Sequence, residues 1–205
     1  TSALAAVQAL DTAELDSLLG DAAVALGTQG LLQKVVVPLT YRVGDLWHSG
    51  DFSAAQEHFA SSLIRNFLGN HARPYSIDSS APLIVVGTPV GQLHELGAVI
   101  VSAAASSLGW RVVNLSASLP AVEIANAAVQ AKATAVALSI VFPEDDPGLP
   151  AELEGLRRML PEDVAFIPGG RAAPAYVDTL RKVSATICTD LDDLITALQE
   201  LRSAK

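Results

Sequence analysis

The chain has 205 residues, half of them hydrophobic and 17% charged, with 13 Lys+Arg against 22 Asp+Glu for a net charge of −9. That is enough chain for one or two domains with a real core, and too apolar a composition for disorder. The acidity argues against nucleic-acid binding by this chain alone, because phosphate neutralisation needs Lys and Arg. One cysteine, Cys188, excludes a disulfide framework and an all-cysteine metal site. The richest apolar stretch, Gln33 to Thr40, is far short of a membrane span, so no membrane association is expected. Thr1-Ser2-Ala3 carries no basic n-region, so no secretory signal is expected, and the missing initiator Met leaves room for a preceding segment. The expectation is a soluble, acidic, cytoplasmic globular protein.

From the start to about Tyr75 the apolar periodicity is helical. Asp11 stands as an N-cap with Glu14 at capping-box spacing, and Leu15, Leu18, Leu19, Ala22 and Leu26 form one apolar face. A second helix is predicted from about Gly30 to Trp47, carrying Leu31, Leu32, Val35, Val36, Leu39, Val43 and Leu46, with Pro38 kinking or splitting it. Gly50 ends that segment, and Asp51 or Ser53 caps a third helix through Leu68. The result is a bundle of three or four helices, assigned to residues 1–76. The stretch His71 to Pro82 has the Pro/Ser content of a linker.

Beyond it, short apolar runs at Leu83–Gly87, Arg111–Leu115, Ala135–Ile140, Val164–Pro168 and Ala185–Cys188 read as buried strands. Amphipathic stretches at about 92–108, 121–132, 150–160, 173–182 and 190–203 separate them. Five β–α units in strict alternation predict an α/β domain over 77–205 with a flavodoxin-like, five-stranded parallel sheet. In such sheets a ligand sits outside the carboxyl ends of the strands, where strand order reverses. With order 2-1-3-4-5, the segments after strands one, three and four line one edge: Thr88 to Gly97, Ser139 to Pro143, and Pro168 to Arg171. Singly these are weak signals. A lone His in such a loop is commonly structural, and a Gly-Gly after a strand is commonly a turn needing positive φ. A receiver-type reading is disfavoured, because Thr88-Pro89 and Phe142-Pro143 stand where acidic residues would be needed, and Glu144-Asp145-Asp146 reads as a solvated loop.

Jointly they say more. His94-Glu-Leu-Gly97, 41 residues, Ser139-x-Val141, 27 residues, then Gly169-Gly170 resembles the cobalamin-binding domain of base-off, His-on corrinoid proteins. The family pattern is Asp-x-His-x-x-Gly, Ser-x-Leu and Gly-Gly at these separations, and the resemblance covers about 82–205. It implies that His94 is the lower axial cobalt ligand, a role suited to a neutral imidazole. It further implies that the displaced nucleotide tail lies in a slot between strands one, three and four, past Gly97, Gly169 and Gly170. Two positions depart from the pattern. Val141 replaces the leucine. Gln92 replaces the acidic residue that holds the ligand histidine's second ring nitrogen; its carbonyl can accept that bond without raising the ligand's basicity as a carboxylate does.

In the helical half, Trp47-His48, with nine residues between Trp47 and Glu57-His58, resembles the Trp-x9-Glu-His signature of CarH-like cobalamin photoreceptors associated with MerR-type regulators. The resemblance implies adenosylcobalamin as chromophore, a helical cap over its upper face, Trp47 against the adenosyl group, and Glu57 helping to hold it. It makes His48 the upper cobalt ligand once light has cleaved the Co–C bond. It also implies a homo-oligomer, dimer or tetramer, and it allows a bilin as second chromophore. Without the second half, Trp47 as bundle core and His48 as a solvent-side neighbour is the simpler account. Glu57 and His58 are consecutive, about 100° apart on a helix, so they are not expected to share one small target, and a zinc site from His48, Glu57 and His58 is awkward. The reading is a light-sensing, non-enzymatic module. Its rivals are a corrinoid carrier subunit of a methyltransferase system and, further off, a mutase small subunit.

Overall fold

A computed structural model describes residues 2–71 and 78–203, and the chain divides into two compact units, Thr1–Arg73 and Pro74–Lys205. The expected domain boundary at 76/77 and half of the expected linker, residues 72–77, lie outside the described residues.

The first unit is helical: α1 (Ser2–Ala9), α2 (Thr12–Leu31), α3 (Val37–Ser49) and α4 (Ala54–His71). Asp11 caps α2 as expected, its side chain accepting the Glu14 N–H at 3.0 Å. Ser53, rather than Asp51, caps α4: the Ser53 N–H donates to Gln56 Oε1 at 2.9 Å, and the Gln56 N–H donates to Ser53 Oγ at 3.3 Å. Pro38 does not break the chain. A π-helical stretch, Leu32–Val36, precedes α3, and the wider register leaves room for a proline that offers no N–H. Gly50, at φ +84°, closes α3 in the left-handed conformation. Leu15, Leu19, Leu32, Val36, Ile64 and Phe67 pack the core, with Ala6 and Val7 from α1, a helix the apolar periodicity does not announce.

Two expectations change here. Leu26, placed on the apolar face of α2, is 40% exposed, because Gly27 (φ +66°) interrupts the helix beside it and ends the periodicity. The run Thr12–Ser49 is also long and apolar enough, by length and composition, to cross a membrane. Only its joining across the π-helical stretch makes it so, and the same test is passed by core helices of other proteins.

The second unit alternates strand and helix: β1 (Leu83–Gly87), α5 (Leu96–Ser107), β2 (Arg111–Asn114), α6 (Ala121–Ala131), β3 (Ala135–Ser139), α7 (Leu149–Met159), β4 (Ala165–Gly169), a 3₁₀ turn (Ala173–Tyr176) leading into α8 (Val177–Lys182), and α9 (Leu191–Ser203). The sheet is parallel, in the order β2-β1-β3-β4, so β1, β3 and β4 are neighbours. Every residue of β1 and β3 is buried, as central strands covered on both faces require. Leu83, Val85, Val136, Leu138 and Phe166 face α6, α7 and α8; α5 and α9 cover the other side.

The expected fifth strand is not formed. Residues 186–188 do run beside β4, with the Thr186 N–H donating to Phe166 O and the Cys188 N–H to Pro168 O. Only an isolated bridge at Gly169 and Cys188 results. Along β4, Phe166 and Pro168 face this edge, and Pro168 has no N–H to return to the Thr186 carbonyl.

Candidate functional site

Three loops meet at the carboxyl edge of the sheet, as the strand order requires. The loop after β1 is a built turn. The Thr88 hydroxyl donates to the Gln92 carbonyl and accepts the Ser118 N–H at 2.8 Å, and the Gln92 N–H donates to Pro89 O at 3.0 Å. Gly91, at φ +84°, completes it, its N–H held by Ser118 Oγ at 3.1 Å. Thr88 is fully buried. Its polarity at the end of an otherwise apolar strand was a legible sign of a structural hydroxyl.

Gln92 differs from its expected role. Its Oε1 accepts from the Val141 and Phe142 N–H groups, each at 2.8 Å, and its Nε2 donates to the Pro143 carbonyl at 3.0 Å. Both acceptor directions of that carbonyl are committed to the β3 loop, so its bonds hold backbone 49 to 51 residues away rather than the histidine ring.

His94 is half-buried, and its ring meets Phe142 edge-on, centroids 5.9 Å apart at 85°. Phe142, and Leu93 and Val90 on the loop that carries His94, are exposed large apolar side chains, Leu93 by 72%.

The glycines are crowded by the protein itself. A Cβ at Gly97 would lie 2.2 Å from Ser139 Oγ. One at Gly169 would meet Cys188 O at 2.8 Å, and one at Gly170, where φ is +101°, would meet Ile140 O at 2.4 Å. Gly97, Ser139, Gly169 and Gly170 therefore sit together at the ends of β1, β3 and β4, with Val141 joined to them through Gln92. The close approach is between the start of α5, the strand ends and the segments after them, which is reason enough for glycine without a ligand.

In the helical unit, Trp47 and His48 end α3, and Glu57 and His58 open α4 across the Gly50–Ser53 corner. Trp47 is half-buried, not core; His48 is exposed, their rings 6.0 Å apart at 71°. The corner is held by the Phe52 N–H on Leu46 O at 2.9 Å and by Ser49 Oγ on Asp51 Oδ2 at 2.7 Å. Glu57 and His58 reach each other: His58 Nδ1 is 2.5 Å from Glu57 Oε2. The mobile imidazole of an exposed residue folds back along the first turn. The other carboxylate oxygen, Oε1, accepts from Ser61 Oγ at 2.6 Å, so Glu57, only 15% exposed, is fixed on both sides.

A B12 binding domain model matches residues 82–194, and a second B12 binding domain model matches residues 2–70. The chain is similar to the HTH-type transcriptional repressors CarH and CarA of Myxococcus xanthus, at 28% identity in both cases. The similarity covers 94% and 97% of this chain, which spans 64% and 67% of those proteins. Among solved structures, the Methanosarcina barkeri monomethylamine corrinoid protein shares the fold, with a TM-score of 0.68 and 17% identity over 95% of this chain and 94% of that one.

Proposed function

Since the chain belongs to the B12 binding domain family, matched over more than half its length, we propose that it is an adenosylcobalamin-dependent light-sensing module. Cobalamin as the cofactor is supported by the family matches to both units; the adenosyl form, the response to light and the oligomeric output are the proposal's own steps. The reading is of a binding and signalling module rather than an enzyme, and no match points to a bilin.

The residues present fit a corrin. His94 offers a partly exposed imidazole against the Phe142 ring, with exposed apolar side chains at Val90 and Leu93 on the same loop, a nitrogen donor and apolar surface that would suit a corrin. The bound group would supply a Co–C bond that light breaks. The protein's part would be to hold the metal through His94, with Phe142 packed beside the ring. In the helical unit, Trp47 presents a half-buried indole for stacking on an adenine, a contact available to every π-face. Glu57, held by Ser61 and His58, is a preset acceptor for a ribose hydroxyl or an amine. His48, exposed next to Trp47, is the proposed upper ligand after illumination, and the proposed consequence is a change in self-association or in a partner's activity.

The similarity to the CarH and CarA repressors, over 94% and 97% of this chain, supports the light-sensing reading. The alternative, a corrinoid carrier of a methyltransferase system, is favoured by the likeness to the monomethylamine corrinoid protein, which at 17% identity speaks to fold alone. The absorption spectrum of the protein loaded with adenosylcobalamin, before and after green light, separates them. The proposal expects a lasting spectral change accompanied by a shift in elution volume on size exclusion. An elution volume indifferent to light, with methyl transfer from a methylcobalamin-loaded form to a thiol acceptor, would favour the carrier.

A further inference from the structure

Gln92 stands two residues before His94 and is 1% exposed. A buried amide is costly unless both of its ends are bonded. Here the carbonyl takes two N–H groups and the amine gives one hydrogen, to three consecutive residues, 141 to 143, of the loop leaving β3. The backbone of Gln92 is itself pinned by Pro89 and Thr88. One of the clamped residues is Phe142, whose ring meets the His94 imidazole edge-on. Donors and acceptors match an amide and not a carboxylate. A glutamate could accept from Val141 and Phe142 but would set a negative oxygen against the Pro143 carbonyl.

We propose that Gln92 is a positioning residue: by fixing residues 141–143 it sets the Phe142 ring against His94 and so orients the imidazole. The proposal rests on the cobalamin reading for what the ring is oriented toward, but the orientation itself belongs to the ligand-free protein. The amide clamp joins two loops and holds the Phe142 ring in register with the imidazole.

The test uses the full chain with Gln92→Ala, Gln92→Glu and Phe142→Leu. In the ligand-free protein, the His94 ring protons feel the Phe142 ring current, and the difference between wild type and Phe142→Leu defines that shift by NMR. Gln92→Ala should lose more than half of it, while Gln92→Glu, keeping two of the three bonds, should retain most of it. Hydroxocobalamin affinity should fall about 10- to 100-fold in Gln92→Ala, the usual effect of removing an outer-shell partner. A folded Gln92→Ala protein with the full ring-current shift overturns the proposal, even if its cobalamin affinity falls. If Gln92→Ala does not fold, the similarly sized Gln92→Met, which makes none of the three bonds, decides: a lost shift supports the clamp and a full one overturns it. If His94→Ala binds hydroxocobalamin like wild type, the cobalamin reading fails on its own, and the ring-current result still judges the clamp.

Discussion

Gly97→Ala tests the junction of α5 with β3 on which the three loops depend. A Cβ at residue 97 would lie 2.2 Å from Ser139 Oγ and 3.3 Å from Ser139 Cβ. Ser139 is the last residue of a central strand paired with Gly169, so its backbone cannot retreat and its hydroxyl would have to turn into packed surroundings. Ser139 is 4% exposed, leaving no solvent side to yield into. Overpacking of this kind costs about 1–3 kcal/mol. With a urea m-value of about 2 kcal/mol/M, the midpoint should fall by roughly 0.5–1.5 M. Ser139→Ala removes the 2.2 Å contact and leaves the 3.3 Å one, so the double variant should recover most of the loss, a coupling of about 1–2 kcal/mol. The chain has two tryptophans, and Trp110 is fully buried in the sheet unit. Its fluorescence in a Trp47→Phe background therefore reports unfolding of that unit alone. A midpoint unchanged by Gly97→Ala, or a double variant no more stable than the single one, would refute the close-approach argument.

Trp47→Ala should lower adenosylcobalamin affinity by about tenfold, the worth of one good aromatic contact, while leaving hydroxocobalamin affinity nearly unchanged. Equal loss of both would mean that the indole supports the bundle instead. Illuminated His48→Ala should show a water-ligated cobalt spectrum where wild type shows bis-histidine ligation; identical spectra would make His48 a bystander. Burial, reinforced by Asp193 and Asp190, pushes the Cys188 thiol up to about 11. At pH 8 its alkylation in the native protein should be on the order of a hundredfold slower than in urea, where the thiol titrates near 8.5. Because the folded form holds this proton more tightly, the thiol's contribution to stability is present below about 8.5 and declines as pH rises toward 11; comparable rates in native and unfolded protein would contradict this.

The alternating sheet was legible because apolar runs of strand length alternate with helices; that β1, β3 and β4 are neighbours followed from the strand order taken with it, which the sheet has for its four strands. The caps Asp11 and Gly50 were legible because both are local chemistry. What was not legible depends on distance. Gln92 finds its partners 49 to 51 residues away and on the backbone, where side-chain patterns carry no trace of them. The strand expected at Ala185–Cys188 does not form because the missing donor is on its neighbour, Pro168, which its own mostly apolar residues do not show. Helix α1 buries only Ala6 and Val7, too few positions to show a period. The contact of His58 with Glu57 comes from side-chain freedom that a helical wheel does not contain.

The central claim is that this chain binds cobalamin through His94, and the lower axial nitrogen can be identified directly. Reduced to the Co(II) form on the protein, the cofactor gives an electron paramagnetic resonance spectrum split by that nitrogen. In protein grown with 15N-histidine, the three-line splitting of 14N should become a two-line splitting, and His94→Ala should lose it or return it to the unlabelled pattern. A splitting that ignores the histidine label in wild type would mean that the cofactor keeps its own base, and would contradict the account.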